Sequence, residues 1–282
     1  MAVALTLVLG SGIAHAVWNL FTKSSRDKKV FLWLINFGGF IVFLPFLIYE
    51  MAQGIPLAGY GLMAVTLGFQ IMYAYLLPIA YQRAEMSQAY PVMRGIAALL
   101  VPLLGVWLFG ESLTTIGWLG VAAIVAGLFA IGARGNRQLN RGQMLHAFLP
   151  ILGVGAAITG YTLNDKLLLS YISPLALIEV CNIGFVIILA RSAWKPKAIR
   201  TEWDGSWKQI VIGSVLSPGS YLLFLFAMDV GPVSQLAPIR EISTVIGTLL
   251  GIWLLKEAGG AGRVLYAGII TAGIIAIGAW GT

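Results

Sequence analysis

Long apolar runs follow one another along nearly the whole chain and are separated by short polar segments. The runs are about 20 residues long and lack a strict alternation of apolar and polar positions, which is typical of membrane-crossing helices rather than strands. The pattern predicts ten helices, at residues 3–21, 30–49, 61–81, 88–109, 114–132, 145–163, 171–190, 209–228, 233–255 and 264–280. Residues 134–146 and 198–208 are the two segments expected outside the bilayer.

The fourth and ninth runs carry the same motifs. Ser-Gln-x-x-Pro begins at Ser87 and again at Ser234, 147 positions later. Gly-x-Trp-Leu-x-x-Glu begins at Gly105 and again at Gly251, 146 positions later. The chain therefore divides into two five-helix units, residues 1–133 and 145–282. Because five is odd, the second unit enters the bilayer from the opposite face, which predicts an all-α integral membrane fold of ten transmembrane helices in two inverted repeats.

The composition supports lipid as the solvent. Hydrophobic residues make up 59% of the chain and charged residues 10%, and the mean hydropathy is +0.89, so a soluble domain of this size is excluded. The first run has no basic residue before it and shares glycines with the sixth run, so we interpret it as a helix and not as a cleaved leader. The single cysteine, Cys181, excludes an internal disulfide.

The basic residues predict the orientation of the helices. Fifteen of the 18 lysines and arginines lie in the odd-numbered loops, Lys166 alone lies in an even-numbered loop, and Arg94 and Arg240 lie inside helices. The positive-inside rule then places the odd loops in the cytoplasm and both termini outside. The same distribution accounts for the net charge of +7 without a nucleic-acid partner.

The two halves, the proline-containing starts of the fourth and ninth helices and their Gly-x-Trp-Leu-x-x-Glu ends together resemble the EamA family of the drug/metabolite transporter superfamily. The first helix, with His15-Ala16-Val17-Trp18-Asn19 and Lys23, is similar to one bacterial subgroup of that family. The resemblance implies a ten-helix secondary transporter of the bacterial inner membrane. Members of the family move amino acids, sugars, nucleotide sugars, choline or drugs, so the resemblance does not define the solute.

Arg94 and Arg240 occupy equivalent positions, 146 residues apart, shortly after a proline. Charged side chains inside a membrane span are costly, at about 2.5–3.5 kcal/mol each on insertion scales, so each one needs an explanation. We consider two. The arginines hold a carboxylate or phosphate of a solute in a central cavity, or they form structural ion pairs with Glu179 and Glu241.

Further polar side chains are expected to face the interior of the bundle. His15 and Asn19 share one face of the first helix with other polar residues, and histidine is the residue type that titrates near neutral pH. His15, Glu179 and Glu241 are the candidates for carrying a coupling proton, with salt bridges or satisfied hydrogen bonds as the alternative. The candidates for binding solute are His15, Asn19, Gln70, Tyr73, Tyr90, Arg94, Tyr221 and Arg240.

Three expectations concern packing. Trp18 is expected to lie off the polar face of the first helix. Asn164, Asp165 and Lys166 are expected to form a solvated cap at the outer surface. Small residues spaced by four on helices five and ten are expected to form structural seams where helix backbones come close together, and these are Ala122, Ala126 and Ala130, and Gly268, Ala272 and Ala276.

We therefore expect a secondary transporter that moves a small polar or amphipathic metabolite by alternating access, with export in exchange for protons as one form. Its partners are the solute and the lipid bilayer, and a monomer is expected. No motif for an enzyme, a cofactor or a metal is visible. Two rivals remain: a carrier or flippase for a lipid-linked anionic head group, and a membrane scaffold that transports nothing.

Overall fold

The computed structural model describes residues 2–83, 86–133, 141–254 and 260–281, and within those ranges it contains α-helices and no strand. The first five helices are α1 (Ala2–Ser24), α2 (Lys28–Gln53), α3 (Leu57–Arg83), α4 (Met86–Phe109) and α5 (Thr115–Ala133). The others are α6 (Arg141–Leu168), α7 (Pro174–Ala193), α8 (Ala198–Val230), α9 (Val233–Ile239), α10 (Ile242–Leu254) and α11 (Gly260–Trp280).

Many of these helices suit a bilayer. Among the described residues, six helices are long and apolar enough to cross one: α1, α2, α3, α4 from Ala89 onward, α7 and α8. Shorter apolar stretches occur in α5 and α11. Large apolar side chains such as Ile41, Trp107 and Ile187 are more than half exposed, as expected of a surface that faces lipid. The predicted all-α, membrane-type fold is confirmed at this level.

Helices from different parts of the chain pack in reciprocal pairs around the core. Helix α1 packs along α8, and α3 packs along α6. Helix α2 packs along α7, and α5 along α11. Helix α6 also packs against α4, as α1 does against α10. Each helix of the first half therefore finds a major partner in the second half, so the two halves form one body.

Glutamates from other elements cap the starts of three segments of the chain. Glu111, just after α4, accepts hydrogen bonds of 2.9 and 2.8 Å from the first two backbone N–H groups of α9. Glu50, in α2, accepts from the backbone N–H and the hydroxyl of Ser173, the N-cap of α7. Glu202, in α8, accepts from the two backbone N–H groups that precede α2. These carboxylates use helix N-termini that lack backbone partners.

The ninth predicted helix is not continuous. It is divided into α9 and α10 by a turn at Arg240 and Glu241. Pro238 has no N–H to donate, which weakens the helical bonding just before the turn, and the N–H of Glu241 bonds to the Pro238 carbonyl at 3.0 Å. The prediction of one unbroken helix over residues 233–255 was therefore wrong.

The two segments expected outside the bilayer are partly helical. Helix α8 begins at Ala198 and changes direction at Ser206, which has non-helical backbone angles. Helix α6 begins at Arg141, while residues 134–140 of the predicted connection between the halves lie outside the described residues. The polar segments are therefore shorter as loops than the hydropathy pattern predicts.

The small-residue contact between α5 and α11 uses a different face from the predicted one. Ala122, Ala126, Gly268 and Ala272 are exposed, so the proposed stripe faces outward. The close approach occurs at Gly120 and Gly273, where a Cβ on Gly273 would lie 2.6 Å from the Gly120 carbonyl oxygen. The sequence indicated close helix contacts at small residues, but not that these two helices meet or through which glycines.

Candidate functional site

A polar cavity lies between the two halves, near the middle of the long helices. Helices α1, α2, α3, α6, α7 and α8 and the turn before α10 contribute to its wall. Its aromatic residues are Trp18, Tyr73, Tyr161, Phe185 and Tyr221. Its polar and ionisable residues are His15, Asn36, Gln70, Asn182, Ser217, Ser220 and Arg240, with Cys181 beside them. The wall is thus suited to an organic solute that has both apolar and polar groups.

Among the described residues that line this cavity, Arg240 is the arginine. Its Nε donates a 3.0 Å hydrogen bond to Oγ of Ser11. The guanidinium lies over two rings, with Cζ 5.1 Å from the centre of Tyr221 and 4.5 Å from that of Phe224. Within the described part of the chain it forms no ion pair. A buried cation held by rings and one hydroxyl has positive charge left for an anionic group.

Arg94, the equivalent residue of the first half, is neutralised. Its Nη2 lies 2.7 Å from Oε1 of Glu241, and its Nε donates to Oε2 of Glu241 at 3.1 Å. Both side chains are at most 4% exposed, and Glu241 also accepts from the Thr244 hydroxyl. The pair lies beside a second, smaller pocket that Arg240 also lines. The alternative of a structural ion pair therefore describes Arg94 and Glu241, while Arg240 matches the cavity-facing description.

Of the other candidates on α1 and α4, His15 lines the cavity, whereas Tyr90 and Asn19 do not. His15 lines the cavity, stacks on Tyr90 at 6.4 Å, and has no hydrogen-bond partner for Nδ1 among the described residues. Tyr90 is buried behind it and donates to Ser243. Asn19 is 1% exposed, accepts from the Tyr81 hydroxyl and donates to the His15 carbonyl. Asn19 therefore connects α1 to α3 and does not line the cavity.

The remaining candidates lie on α3, α7 and α8. Gln70, Tyr73 and Tyr221 all line the cavity, and the amide of Gln70 donates to the Cys181 sulfur at 3.2 Å. Glu179 is fully buried and does not line it. One carboxylate oxygen of Glu179 accepts from Asn182 at 3.3 Å, and the other has no partner within the described ranges.

Sequence reasoning missed several wall residues that the repeat contains. Trp18 and Tyr161 are 143 positions apart, and Asn36 and Asn182 are 146 apart; all four line the cavity. Trp18 was predicted to lie off the polar face of the first helix. Instead it belongs to the polar wall, because its indole N–H donates to Oγ of Ser220. The signal for these pairs is the repeat itself, because aromatic or amide residues recur at equivalent positions of the two halves outside the proline motifs.

The prediction for the position of Asp165 was wrong. It was expected in a solvated cap, but it is completely buried and accepts hydrogen bonds from the hydroxyls of Thr66 and Tyr221. Asn164 beside it donates to the Leu62 carbonyl and to Thr66. The end of α6 packs into the bundle here, so residues with the composition of a surface cap become part of the interior.

The cavity is narrow in this conformation. Its volume is about 40 Å³, which has room for two or three waters at roughly 15 Å³ each. Pockets that hold organic ligands generally have roughly 300 Å³ or more. A solute can therefore occupy this site only if the surrounding helices move apart.

The long apolar helices around a polar cavity define the chain as a multi-pass membrane protein. Residues 146–279 match the EamA-like transporter family, which confirms the predicted resemblance over the second half and indicates a membrane transporter of the drug/metabolite type. No curated protein matches the chain significantly. Among solved structures, 27 chains match. One of them, described as the crystal structure of a protein, has 16% identity and a TM-score of 0.75, and the match covers 98% of this chain and 96% of its own.

Proposed function

We propose that this protein is a secondary transporter that moves a small organic solute with an anionic group, such as a carboxylate, through the central cavity. Arg240 is the observation that carries the proposal. It is 3% exposed, faces the cavity and forms no ion pair within the described residues. A solute carboxylate would supply the charge that Arg240 lacks and would accept hydrogen bonds from its guanidinium.

The aromatic wall of the cavity indicates that the solute also has an apolar part. Tyr73, Tyr161 and Tyr221 pack edge to face, with ring centres 5.8 and 5.5 Å apart. Such rings offer flat apolar surface, while Asn36, Asn182 and other amide or hydroxyl groups can donate or accept hydrogen bonds. We infer an amphipathic metabolite of amino-acid size rather than an inorganic ion.

We propose ten transmembrane spans, with α9 and α10 as one interrupted span, arranged as two inverted repeats. Reciprocal packing supports the repeat, because the first helix of each half packs on the third helix of the other half: α1 on α8 and α6 on α3. Inverted repeats can adopt two conformations of similar energy that open to opposite faces, which is the basis of alternating access. The narrow cavity fits a state of that cycle in which the solute site is closed.

The charge distribution supports an orientation. Lys195, Lys197 and Arg200, with the exposed Trp194 and Trp203, lie around the start of α8, a combination typical of a cytoplasmic membrane interface. We propose a bacterial inner-membrane protein with this segment in the cytoplasm, acting as a monomer without a cofactor. Movement of solute outward in exchange for protons is the direction that the family resemblance favours.

Two rival functions make different demands on the structure. A scaffold that transports nothing has no use for an unpaired arginine in a polar cavity, so Arg240 argues against it. A flippase for a lipid-linked anion would use the same arginine, but it also needs a lateral opening between helices for the lipid chain. Arg240 lies among buried residues of α1, α8 and α9, so we favour a water-soluble solute.

Uptake into proteoliposomes tests the proposal. A panel of radiolabelled amino acids, other carboxylates and neutral analogues is offered with and without a pH gradient. We expect carrier-dependent uptake of at least one carboxylate, with an apparent affinity that falls about 10-fold or more in Arg240→Gln, because hydrogen bonds to charged groups contribute about 1.5–3 kcal/mol. The matched control is Arg200→Gln, whose side chain is 87% exposed and which should behave as the unmodified protein.

Three outcomes would contradict the proposal. They are no uptake of any compound, equal apparent affinity in Arg240→Gln, and selective flipping of a fluorescent lipid-linked anion instead of uptake of soluble solutes.

The Glu241→Gln variant tests the hypothesis that Glu241 carries a coupling proton. Flux that responds to the pH gradient as in the unmodified protein would remove Glu241 from that role.

A further inference from the structure

Asp165 has an unusual environment for a carboxylate inside a helix bundle. It is fully buried, and each of its oxygens accepts a hydrogen bond from one hydroxyl, Thr66 on α3 and Tyr221 on α8. Tyr221 lines the solute cavity, and the guanidinium of Arg240 lies over its ring. One side chain therefore separates this carboxylate from the proposed solute site.

No cation compensates Asp165 within the described residues. The adjacent Lys166 points away, and its amine donates to the carbonyls of Met228 and Gly231 at the end of α8. The titratable groups that interact with Asp165 are Tyr161 on its own helix, Cys181 on α7 and Tyr221 on α8. All three are neutral near pH 7, and the hydrogen bond that Asp165 accepts from α3 within the described residues comes from the uncharged Thr66.

A buried charge without a counter-ion is costly, and binding a proton removes the cost. Glu241 differs because it is paired with Arg94. Glu179 differs because its one hydrogen bond within the described residues comes from Asn182 on its own helix, whereas Asp165 is bonded by hydroxyls of α3 and α8. We propose that Asp165 is the proton-binding carboxylate of this protein and that Tyr221 links its protonation state to the wall of the solute cavity.

The link follows from the hydrogen bond itself. An ionised carboxylate accepts a strong, charge-assisted bond from the Tyr221 hydroxyl, and a protonated carboxyl accepts a weaker one. When the carboxylate is protonated and this bond weakens, the Tyr221 ring is held less firmly. The guanidinium of Arg240 lies over that ring. The proton site depends only on the contacts of Asp165, whereas its use in coupled transport rests on the proposed function.

Infrared spectroscopy of the purified protein in lipid nanodiscs, without added solute, tests the proton site. A pH titration should reveal the C=O stretching band of a protonated carboxyl that disappears as the pH is raised and shifts in heavy water. The band should be lost in Asp165→Asn and retained in the matched control Glu179→Gln. In Tyr221→Phe it should move to higher wavenumber, because the carboxyl then has one hydrogen bond fewer.

A titrating band that Asp165→Asn leaves unchanged would overturn the proposal, as would a band that persists at every pH or the absence of any band that depends on Asp165. Because no solute is present, these outcomes are independent of the transport assay. If transport occurs but Asp165 does not titrate, only the proton assignment fails. If Asp165 titrates but no solute is moved, only the proposed function fails.

Discussion

Arg94 and Arg240 show how equivalent residues acquire different roles. Their sequence contexts are related by the repeat, and both are buried. What separates them is Glu241, which stands where the first half has Gly95 and reaches across to Arg94 rather than to its neighbour Arg240. One charged side chain in one copy thus leaves Arg240 as the arginine that faces the cavity without an ion pair among the described residues.

We predict that the Arg94–Glu241 pair is mainly structural. Arg94→Gln and Glu241→Gln should each lower the free energy of unfolding by about 3–5 kcal/mol, because each leaves the partner as a lone buried charge. The double variant should lose less than the sum of the two, since neither charge then remains. Thermal unfolding in detergent measures all three proteins.

The exposed pair Arg200–Asp204, at 3.7 Å, provides the control for this prediction. Asp204→Asn should leave the unfolding temperature nearly unchanged, because exposed ion pairs contribute little. Additive losses in the double variant, or single variants as stable as Asp204→Asn, would show that the buried pair is not a unit.

At the scale of elements, helix ends are stabilised by carboxylates from elsewhere in the chain. Helix α9 has only seven residues, too few for a stable isolated helix. Its Pro232 N-cap gives no side-chain hydrogen bond, and Glu111 supplies the acceptors instead. In the first copy of the Gly-x-Trp-Leu-x-x-Glu motif, the final glutamate therefore has a structural explanation that the motif alone does not reveal.

Glu111→Gln should destabilise the protein by about 1–2 kcal/mol, because the amide loses the charge that favours a helix N-terminus and can accept through one oxygen only. Hydrogen exchange should increase first at the backbone amides of Val233 and Ser234. Asp229→Asn, at an exposed acid a few residues away, is the control and should leave exchange unaltered. Equal exchange in both variants would contradict the capping role.

The contact between α5 and α11 gives a second prediction for an element. Gly273→Ala should destabilise the protein by about 1–3 kcal/mol through overpacking, because its Cβ would meet the Gly120 carbonyl at 2.6 Å. Gly268→Ala on the same helix is the control, since a Cβ there meets nothing within 4 Å. Alanine is also the better helix former, so Gly268→Ala should be neutral or stabilising. The opposite order in unfolding temperature would refute the observed contact face.

At the scale of the whole molecule, the proposed orientation can be measured directly. The only native cysteine, Cys181, is buried, so it gives little background labelling. Single cysteines at the exposed Gln53 and Lys195 should differ in intact cells. Because the odd loops are predicted to be cytoplasmic, a membrane-impermeant maleimide should label Gln53→Cys at once and Lys195→Cys only after the cells are opened. The reverse pattern would invert the topology.

The amino-acid sequence by itself determined the membrane character, the all-α fold and the resemblance that residues 146–279 confirm. These properties depend on the length of apolar runs and on local motifs, which are read directly along the chain. Gln70, Tyr73 and Tyr221 could also be selected as cavity candidates, because polar and aromatic groups in apolar helices tend to face the interior.

The tertiary structure decided which charges are compensated, where the ninth span breaks and which face of each helix is buried. Arg240 differs from Arg94, and Asp165 from a surface cap, only through side chains contributed by distant helices. The rotation of each helix and its contacts with neighbours are set by packing among all of them at once, and a single polar pattern fits several such arrangements.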